Sequence, residues 1–505
     1  MRFVRRTFQW NTFQLTSVTR LAIGLILLVS LQIAPSACRG SDAPSQKPNV
    51  LFISIDDLND WVGCYGGHPQ VKTPAIDKLA RQGTLFLNAQ CQAPICNPSR
   101  ASLITGLRPS TTGIYFLGPD FRRVEKTRTA ESLFQYFQKQ GYYTITRGKI
   151  FHGKMSDIDR ASFDEISPAR SGASRPKKKL SYNKPNSSRL WDWGAWPEKD
   201  EQVRDHLTAT WAASRLEELA QKEQPFFMAL GFSLPHVPLY VPQKWFDLYP
   251  QAELKLPQNP TGDLDDISDF AIKLTLSGVA PRHSWFLEHG EFAHAVQAYL
   301  ACISFVDHCV GITLDALERS GEADNTIIVL WSDHGFHLGE KQRWAKRSLW
   351  EESARSPLII AGPGCLKNVK CTPPVELIDL YPTLIELCNL PSRKELEGVS
   401  LEPLLKNSKA KWNRPAITTF GPNNHSIRSQ RWRYIRYDDG SQELYDHKTD
   451  PDEITNLAHL PQFATVISEH AKWLPKINVP PAAGSSGSGT PIYREIERQT
   501  KPRKK

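Results

Sequence analysis

The sequence predicts an α/β fold: a large, mostly parallel central sheet flanked by helices, with a small carboxy-terminal α+β subdomain carrying an antiparallel sheet. Three observations predict it. Asn49-Val50-Leu51-Phe52-Ile53-Ser54-Ile55 and Thr326-Ile327-Ile328-Val329-Leu330-Trp331-Ser332 are nearly continuous apolar runs of strand length, as strands buried on both faces of a parallel sheet read. Each run ends in acid, Asp56-Asp57 in one case and Asp333-His334 in the other. Before the second run, residues 292–319 place Val296, Leu300, Ile303, Val310 and Leu314 three, four and seven apart, with Gly321 set to end the helix.

Further along, residues 431–437 alternate as a strand, Asp438-Asp439-Gly440 turns, and residues 442–445 return, which gives the carboxy-terminal antiparallel pair. The expected division is 1–37 signal peptide, 47–395 catalytic domain, 396–480 carboxy-terminal subdomain and 481–505 flexible basic tail. The tail assignment rests on the Gly- and Ser-rich stretch 482–489, a linker composition.

With 505 residues the chain exceeds what one hydrophobic core supports. Its charged fraction of 23% and hydrophobic fraction of 40% are those of a soluble globular protein, so neither disorder nor a membrane bundle is expected. The net charge of +9 sits largely in the leader, in Lys177-Lys178-Lys179 and in the last five residues, so no nucleic-acid partner is expected. Basic residues precede a thirteen-residue apolar stretch, 21–33, too short to span a bilayer comfortably but suited to an export signal. Export to the periplasm, the cell surface or the medium is therefore expected. Membrane attachment is expected only with lipidation at Cys38 or retention of the leader. Of nine cysteines, Cys365 and Cys371 flank a short segment and are a candidate bridge, whereas Cys302 and Cys309 lie two helical turns apart and read as core.

Ligands of open α/β sheets gather at the carboxyl edge of the strands. Asp56, Asp57 and Asp333 are thus candidate oxygen ligands for a hard divalent cation, although any one of them alone reads equally as a helix cap. The most specific stretch is Cys96-Asn97-Pro98-Ser99-Arg100, followed by Leu103 and Thr105-Gly106. By residue type alone Cys96 is a loop cysteine near a proline. In this C-x-P-S-R context the chain resembles the sulfatase family, the formylglycine-dependent members of the alkaline-phosphatase-like superfamily. The resemblance implies that a formylglycine-generating or equivalent maturation enzyme oxidises Cys96 to an aldehyde that rests as its hydrate. One hydroxyl of such a diol takes the sulfuryl group, and deprotonation of the other expels sulfate by carbon–oxygen cleavage. A serine would instead be left as a stable sulfate ester. The chemistry needs a cation, an acid for the leaving alcohol and a base for the elimination.

The resemblance also implies who supplies these. One calcium ion is implied on Asp56, Asp57, Asp333 and His334, with the modified Cys96 as a further ligand; Asp-His at 333–334 is the pattern of iduronate-2-sulfatase-like members. Arg100 is implied to orient the diol and neutralise charge. Gly148-Lys149-Ile150-Phe151-His152 implies Lys149 on sulfate and His152 as base. Ser233-Leu234-Pro235-His236-Val237-Pro238 implies His236 on sulfate and at the leaving oxygen, and Trp344-Ala345-Lys346 implies Lys346 as a second such contact. Outside the resemblance these histidines read as rigid-loop or surface residues.

The likeness runs from about residue 49 to about 390 and resumes over 432–453. It implies a calcium-dependent sulfuric ester hydrolase acting on a sulfated carbohydrate. The alternatives are a phosphatase or phosphodiesterase of the same fold, with an unmodified Ser or Thr and two metals, and a non-catalytic protein that binds sulfated sugar. Three features stay open between function and packing. Residues 171–188 read as a solvated insertion or a substrate-facing loop, Trp191, Trp193 and Trp196 with Asp192 as core or sugar platform, and His425 and Arg428 as cleft or surface.

Overall fold

The computed structural model describes residues 47–167, 172–183, 190–276 and 278–500. The leader and Cys38 lie outside them. Eight strands make the central sheet: β1 (Asn49–Asp56), β2 (Gly83–Phe86), β3 (Tyr143–Gly148), β4 (Glu165–Ile166), β5 (Phe226–Pro235), β6 (Thr326–Ser332), β7 (Leu358–Ala361) and β8 (Val369–Cys371). Their order is β8-β2-β7-β6-β1-β5-β3-β4, and only β7 runs against its neighbours.

The apolar runs are continuous because both faces of the sheet are covered. In β1, Leu51, Ile53 and Ile55 belong to one core cluster and Val50 and Phe52 to the other; Leu230 and Leu330 face with the first set, Phe227 and Val329 with the second. Full burial of each such side chain contributes roughly 1.5–3 kcal/mol. Three helices matter for the site: α1 (Cys96–Thr105), α2 (Arg204–Leu219) and α3 (Phe292–Arg319). Helix α3 has the bounds its periodicity predicts, and Gly321 follows it at a φ of +80°. It is long and apolar enough to cross a membrane, but 78% of its most apolar window is buried within the protein. Cys302 and Cys309 are fully buried on it.

The carboxy-terminal sheet is antiparallel in chain order: β9 (Ala416–Thr419), β10 (His425–Arg428), β11 (Trp432–Arg436) and β12 (Gln442–Asp446). The β11–β12 turn carries Gly440 at a φ of +90°. Arg433 leaves β11 fully buried and pairs with Glu351 and Glu453, so a charge cluster joins this sheet to the larger part of the protein.

Several expectations change. Cys365 and Cys371 are both free, because Cys371 is buried in the edge strand β8 while Cys365 sits in the preceding loop, its thiol turned to the Pro363 carbonyl. Of the insertion, Leu180, Ser181 and Tyr182 are held by their backbone N–H groups on the Asp192 carboxylate, so this part is packed rather than loose. Trp191 and Trp193 are core residues, stacked against Phe336 and Phe286; of the three tryptophans only Trp196 is exposed. Arg428 is buried against Glu351, and His425 is buried between Thr419 and Asn478, so neither is a solvated surface residue.

The tail differs most. The stretch read as a flexible linker runs along the protein surface, with Ser486 and Gly118 bonded through their backbones and Ser485 and Ser488 fully buried. Helix α4 (Arg494–Thr500) follows, and Tyr493 before it is 3% exposed, its ring 4.9 Å from Phe116 and its hydroxyl accepting from Asn424 at 2.6 Å. Glycine and serine serve here because the strap lies close against its neighbours: a Cβ at Gly487 would meet Leu117 at 2.8 Å. Tyr493→Ala is expected to cost about 3 kcal/mol of unfolding free energy, measured by urea denaturation. A loss under about 0.5 kcal/mol would mean that the strap is not docked in solution.

Candidate active site

The strand order assembles the site. Strands β6, β1, β5 and β3 are parallel neighbours, so their carboxyl ends lie side by side and deliver Asp333-His334, Asp56-Asp57, His236 and Lys149 to one edge. Close approach is needed at one point: Lys149 donates its backbone N–H to the Gly231 carbonyl at 2.9 Å, and a Cβ on Gly231 would fall 2.2 Å from the Lys149 backbone.

Cys96 is the first residue of α1, at the positive end of the helix dipole, which favours an anion there. Its Sγ lies 3.3 Å from His334 Nε2 and 3.9 Å from Asp57 Oδ1. Gly106 ends the helix at a φ of +71°. One turn into α1, the guanidinium of Arg100 is 1% exposed and fully engaged. Its Nε donates to Asp333 at 2.8 Å, Nη2 to Asp56 at 3.1 Å, and Nη1 to Ser54 at 2.9 Å and to the Lys149 carbonyl at 2.6 Å. Arg100 therefore clamps the acid tips of β1 and β6 together.

Asp57 has a φ of +64°, the left-handed region that a non-glycine residue rarely takes. The strain is held by its surroundings: Tyr299 on α3 donates to the Asp57 carbonyl at 2.7 Å, and the Asp57 N–H donates to Asp333 at 3.2 Å. The Asp57 carboxylate thereby faces Lys346, whose Nζ lies 2.6 Å from both oxygens, and His236, whose Nε2 is 4.0 Å away. Lys149 pairs with Asp56.

Both site histidines are oriented by carbonyls. His236 Nδ1 donates to Val237 at 2.7 Å and His334 Nδ1 to Gly335 at 2.9 Å, so in each ring Nε2 faces the cluster. His152 stands apart. It is half-buried, its Nδ1 has no hydrogen-bond partner, and among the described residues it makes no hydrogen bond or ion pair with the other nine.

Three carboxylates and three cations share this buried volume, and their proton affinities diverge. Burial alone would raise Asp56, but Lys149, His236 and Arg100 hold it well below the usual carboxylate range. Burial, reinforced by the negative charges of Asp56 and Cys96, raises Asp333 to about 7 in spite of Arg100 and His334. Burial also acts to raise the Cys96 thiol, yet Lys346 and Lys149 hold it well below its ordinary value. Lys149 and Lys346 are raised against their burial by Asp56 and Asp57 respectively, so both stay charged. Burial lowers His236, while Asp333 and Cys96 overcome burial to raise His334 to about 9.

Asp56, Asp57, Cys96 and His236 offer ligand atoms within 4.8 Å of one another, and so do Cys96, Asp333 and His334. The three carboxylates, Asp56, Asp57 and Asp333, supply the oxygen donors that suit a hard divalent cation. His236 joins the metal-capable set here, which the sequence pattern does not suggest. Sequence reasoning also misses the supports: Tyr299, Ser54, Ser99, whose hydroxyl donates to the Asp333 carbonyl at 2.5 Å, and Asp205 on α2, which accepts from the Ser233 and Leu234 N–H groups before His236. None has a local signature, since each acts across a long stretch of chain.

A sulfatase family profile matches residues 48–390, and one for the carboxy-terminal region of N-sulphoglucosamine sulphohydrolase matches 339–479. A sulfatase of Formosa agariphila is 41% identical over 473 residues, covering 90% of this chain and 91% of its own. The iduronate 2-sulfatase of Mus musculus is 30% identical over 416 residues, covering 72% and 73%. A solved structure holding its substrate D-glucosamine-2-N,6-O-disulfate superposes with a TM-score of 0.66 at 21% identity, over 84% of this chain and 96% of the other, a likeness of fold.

Proposed function

This chain belongs to the sulfatase family and is a sulfuric ester hydrolase, and we propose that it removes sulfate from a sulfated carbohydrate by means of a formylglycine made from Cys96 and one calcium ion. The observation that carries the reading is the convergence of Cys96, at the start of α1, with acids from the ends of β1 and β6.

Asp56, Asp57, Asp333 and His334 would hold the cation, which lowers the pKa of a bound hydroxyl and screens sulfate oxygens. The hydrated aldehyde supplies a hydroxyl nucleophile and a route for expelling sulfate without a second attack at sulfur. The chain's own residues do the rest. Lys149 and Lys346, held charged at the rim, bind sulfate oxygens and offset negative charge as it develops. His236, with Nδ1 committed to Val237, presents Nε2 to exchange a proton with the leaving oxygen. His152, half-buried with an unpartnered Nδ1, is left to take the proton that drives elimination. Arg100 holds the acids in place.

The iduronate 2-sulfatase and disulfated-glucosamine relatives support a sugar substrate. Export through residues 1–37 belongs to the same proposal, and amino-terminal sequencing of the native protein tests it.

The test is turnover of an aryl sulfate beside the matching aryl phosphate, with mass analysis of the Cys96 peptide from protein made alongside a maturation enzyme. Aldehyde at Cys96 and preference for sulfate are expected. Thiol at Cys96 in the native host together with no turnover would favour the sugar-binding alternative. Preference for phosphate would favour the phosphatase. Chelation should lower turnover by at least about 10-fold and added calcium should restore it, since the cation would lower the pKa of the attacking hydroxyl. Activity indifferent to chelator would remove the cation from the scheme.

A further inference from the structure

Most buried guanidiniums in this protein meet a carboxylate: Arg100 pairs with Asp56 and Asp333, Arg108 with Glu376, Arg122 with Asp159, and Arg428 and Arg433 with Glu351. That is the expected rule, because a buried charge without a partner is costly. Arg343 breaks it. It is 9% exposed, its Nε donates to Thr275 at 2.8 Å, its Nη1 reaches the Gln342 carbonyl at 3.3 Å, and its Nη2 has no hydrogen-bond partner.

Arg343 lines a cavity of about 170 Å³ together with Arg282, His283 and Ser284. At roughly 30 Å³ per water, this is room for a tetrahedral oxyanion with some water. Among the described residues neither Arg282 nor Arg343 forms an ion pair. The acid that acts on Arg343 from a distance, Asp263, is taken by Lys341 at 2.8 Å. Burial, reinforced by the charge of Arg282, lowers the Arg343 guanidinium to about 10, still charged at neutral pH. Two neighbouring cations and a hydroxyl around an open cavity are the parts of an anion site.

The cavity is tied to the catalytic cluster by three residues of chain. Arg343 is followed by Trp344, Ala345 and Lys346, so the backbone positions of Arg343 and Lys346 are at most about 11 Å apart. Trp344 stacks on Phe286 and its Nε1 donates to His283, which fixes this stretch against the helix that carries Arg282 at its start.

We propose that Arg343 and Arg282 form a second oxyanion subsite that takes a sulfate or carboxylate group on another sugar unit of the carbohydrate whose ester is cleaved over Cys96. This rests on the sulfated-carbohydrate reading above. It makes the enzyme selective for multiply charged oligosaccharides over small monosulfates.

The decisive measurement has two arms. In the first, Cys96→Ala protein, which binds without turnover, is titrated calorimetrically with heparin-derived and carrageenan-derived tetrasaccharides and with inorganic sulfate, with and without Arg282→Ala or Arg343→Gln. For the tighter tetrasaccharide, each second change is expected to weaken binding about 10-fold. In the second arm, the ratio of kcat/KM for that tetrasaccharide to kcat/KM for an aryl sulfate is expected to fall by a similar factor, with Arg343→Lys recovering part of it.

Unchanged tetrasaccharide affinity in Arg282→Ala, binding of neither tetrasaccharide, or an unchanged kcat/KM ratio would overturn the subsite. A loss equally large for inorganic sulfate would replace it with a free-anion site. Because Arg282 is exposed, its variant needs no refolding of the core, and the thermal midpoint of Arg343→Gln separates misfolding from lost contact. Failure of the wild type to cleave aryl sulfate would count against the sulfatase chemistry alone, since the binding arm stands without it.

Discussion

Cys96→Ala is expected to lower sulfate-ester turnover by at least about 10³-fold while changing stability by no more than about 1 kcal/mol. The two effects separate because of where Cys96 sits. Its side chain is 2% exposed but packs against charged groups, so trimming it leaves the two apolar faces of the sheet intact. What disappears is the nucleophile between Lys149, Lys346 and His334. Cys96→Ser sharpens the test. A serine at the same place keeps a hydroxyl, but once sulfated it has no second hydroxyl to deprotonate, so at most one equivalent of product should appear before turnover stops. A burst assay with stopped-flow detection reads this directly. Sustained multiple turnover by either variant would exclude Cys96 as the origin of the nucleophile.

Arg100→Met is expected to be the most damaging single change to the folded state. It leaves the Asp56 and Asp333 carboxylates, both fully buried, without their shared counter-ion, a situation that costs about 3–5 kcal/mol. Arg100→Lys should lose less but still fail to bridge. An ammonium is a single point of charge, whereas the guanidinium reaches Asp333 through Nε and Asp56 through Nη2 at once.

The pH dependence gives a further check. Asp333 is held at about 7 by burial against the opposing pull of Arg100, above its unfolded value. The folded state thus keeps a proton that the unfolded chain releases, and stability falls as pH rises from about 4 through 7. Without Arg100 that cost grows, so the loss caused by Arg100→Met should be smaller at about pH 5 than at about pH 8, measured by urea denaturation of the chelator-treated protein. An equal loss at both would mean that the Asp333 carboxyl is not what suffers.

Near a single residue, sequence and structure agree well. Strands β1 and β6 announce themselves because burial on both faces demands an unbroken apolar run, and an acid just after such a run has little choice but to sit at the sheet edge. Helix α3 announces itself through its apolar period. The P-S-R turn is equally local, since Cys96, Pro98, Ser99 and Arg100 fall within one and a half turns of helix. Residues 482–489 mislead for the same reason. Their composition describes a free chain well, but it does not register that small residues also suit a strap pressed against Leu117 and Arg347.

By itself, then, the sequence determined which segments become strands and helices, and which residues able to do chemistry stand at their ends. The tertiary structure alone decided which of those ends meet. Cys96 and His334 are 238 residues apart in the chain, and Asp57 and Asp333 are 276 apart; they touch because β1 is inserted between β6 and β5. The left-handed turn of Asp57 under Tyr299, the clamp of Arg100 and the unmatched charge of Arg343 beside Arg282 follow from the same fact. Each is fixed by what packing brings against it, and a local pattern of residues carries no record of its distant neighbours.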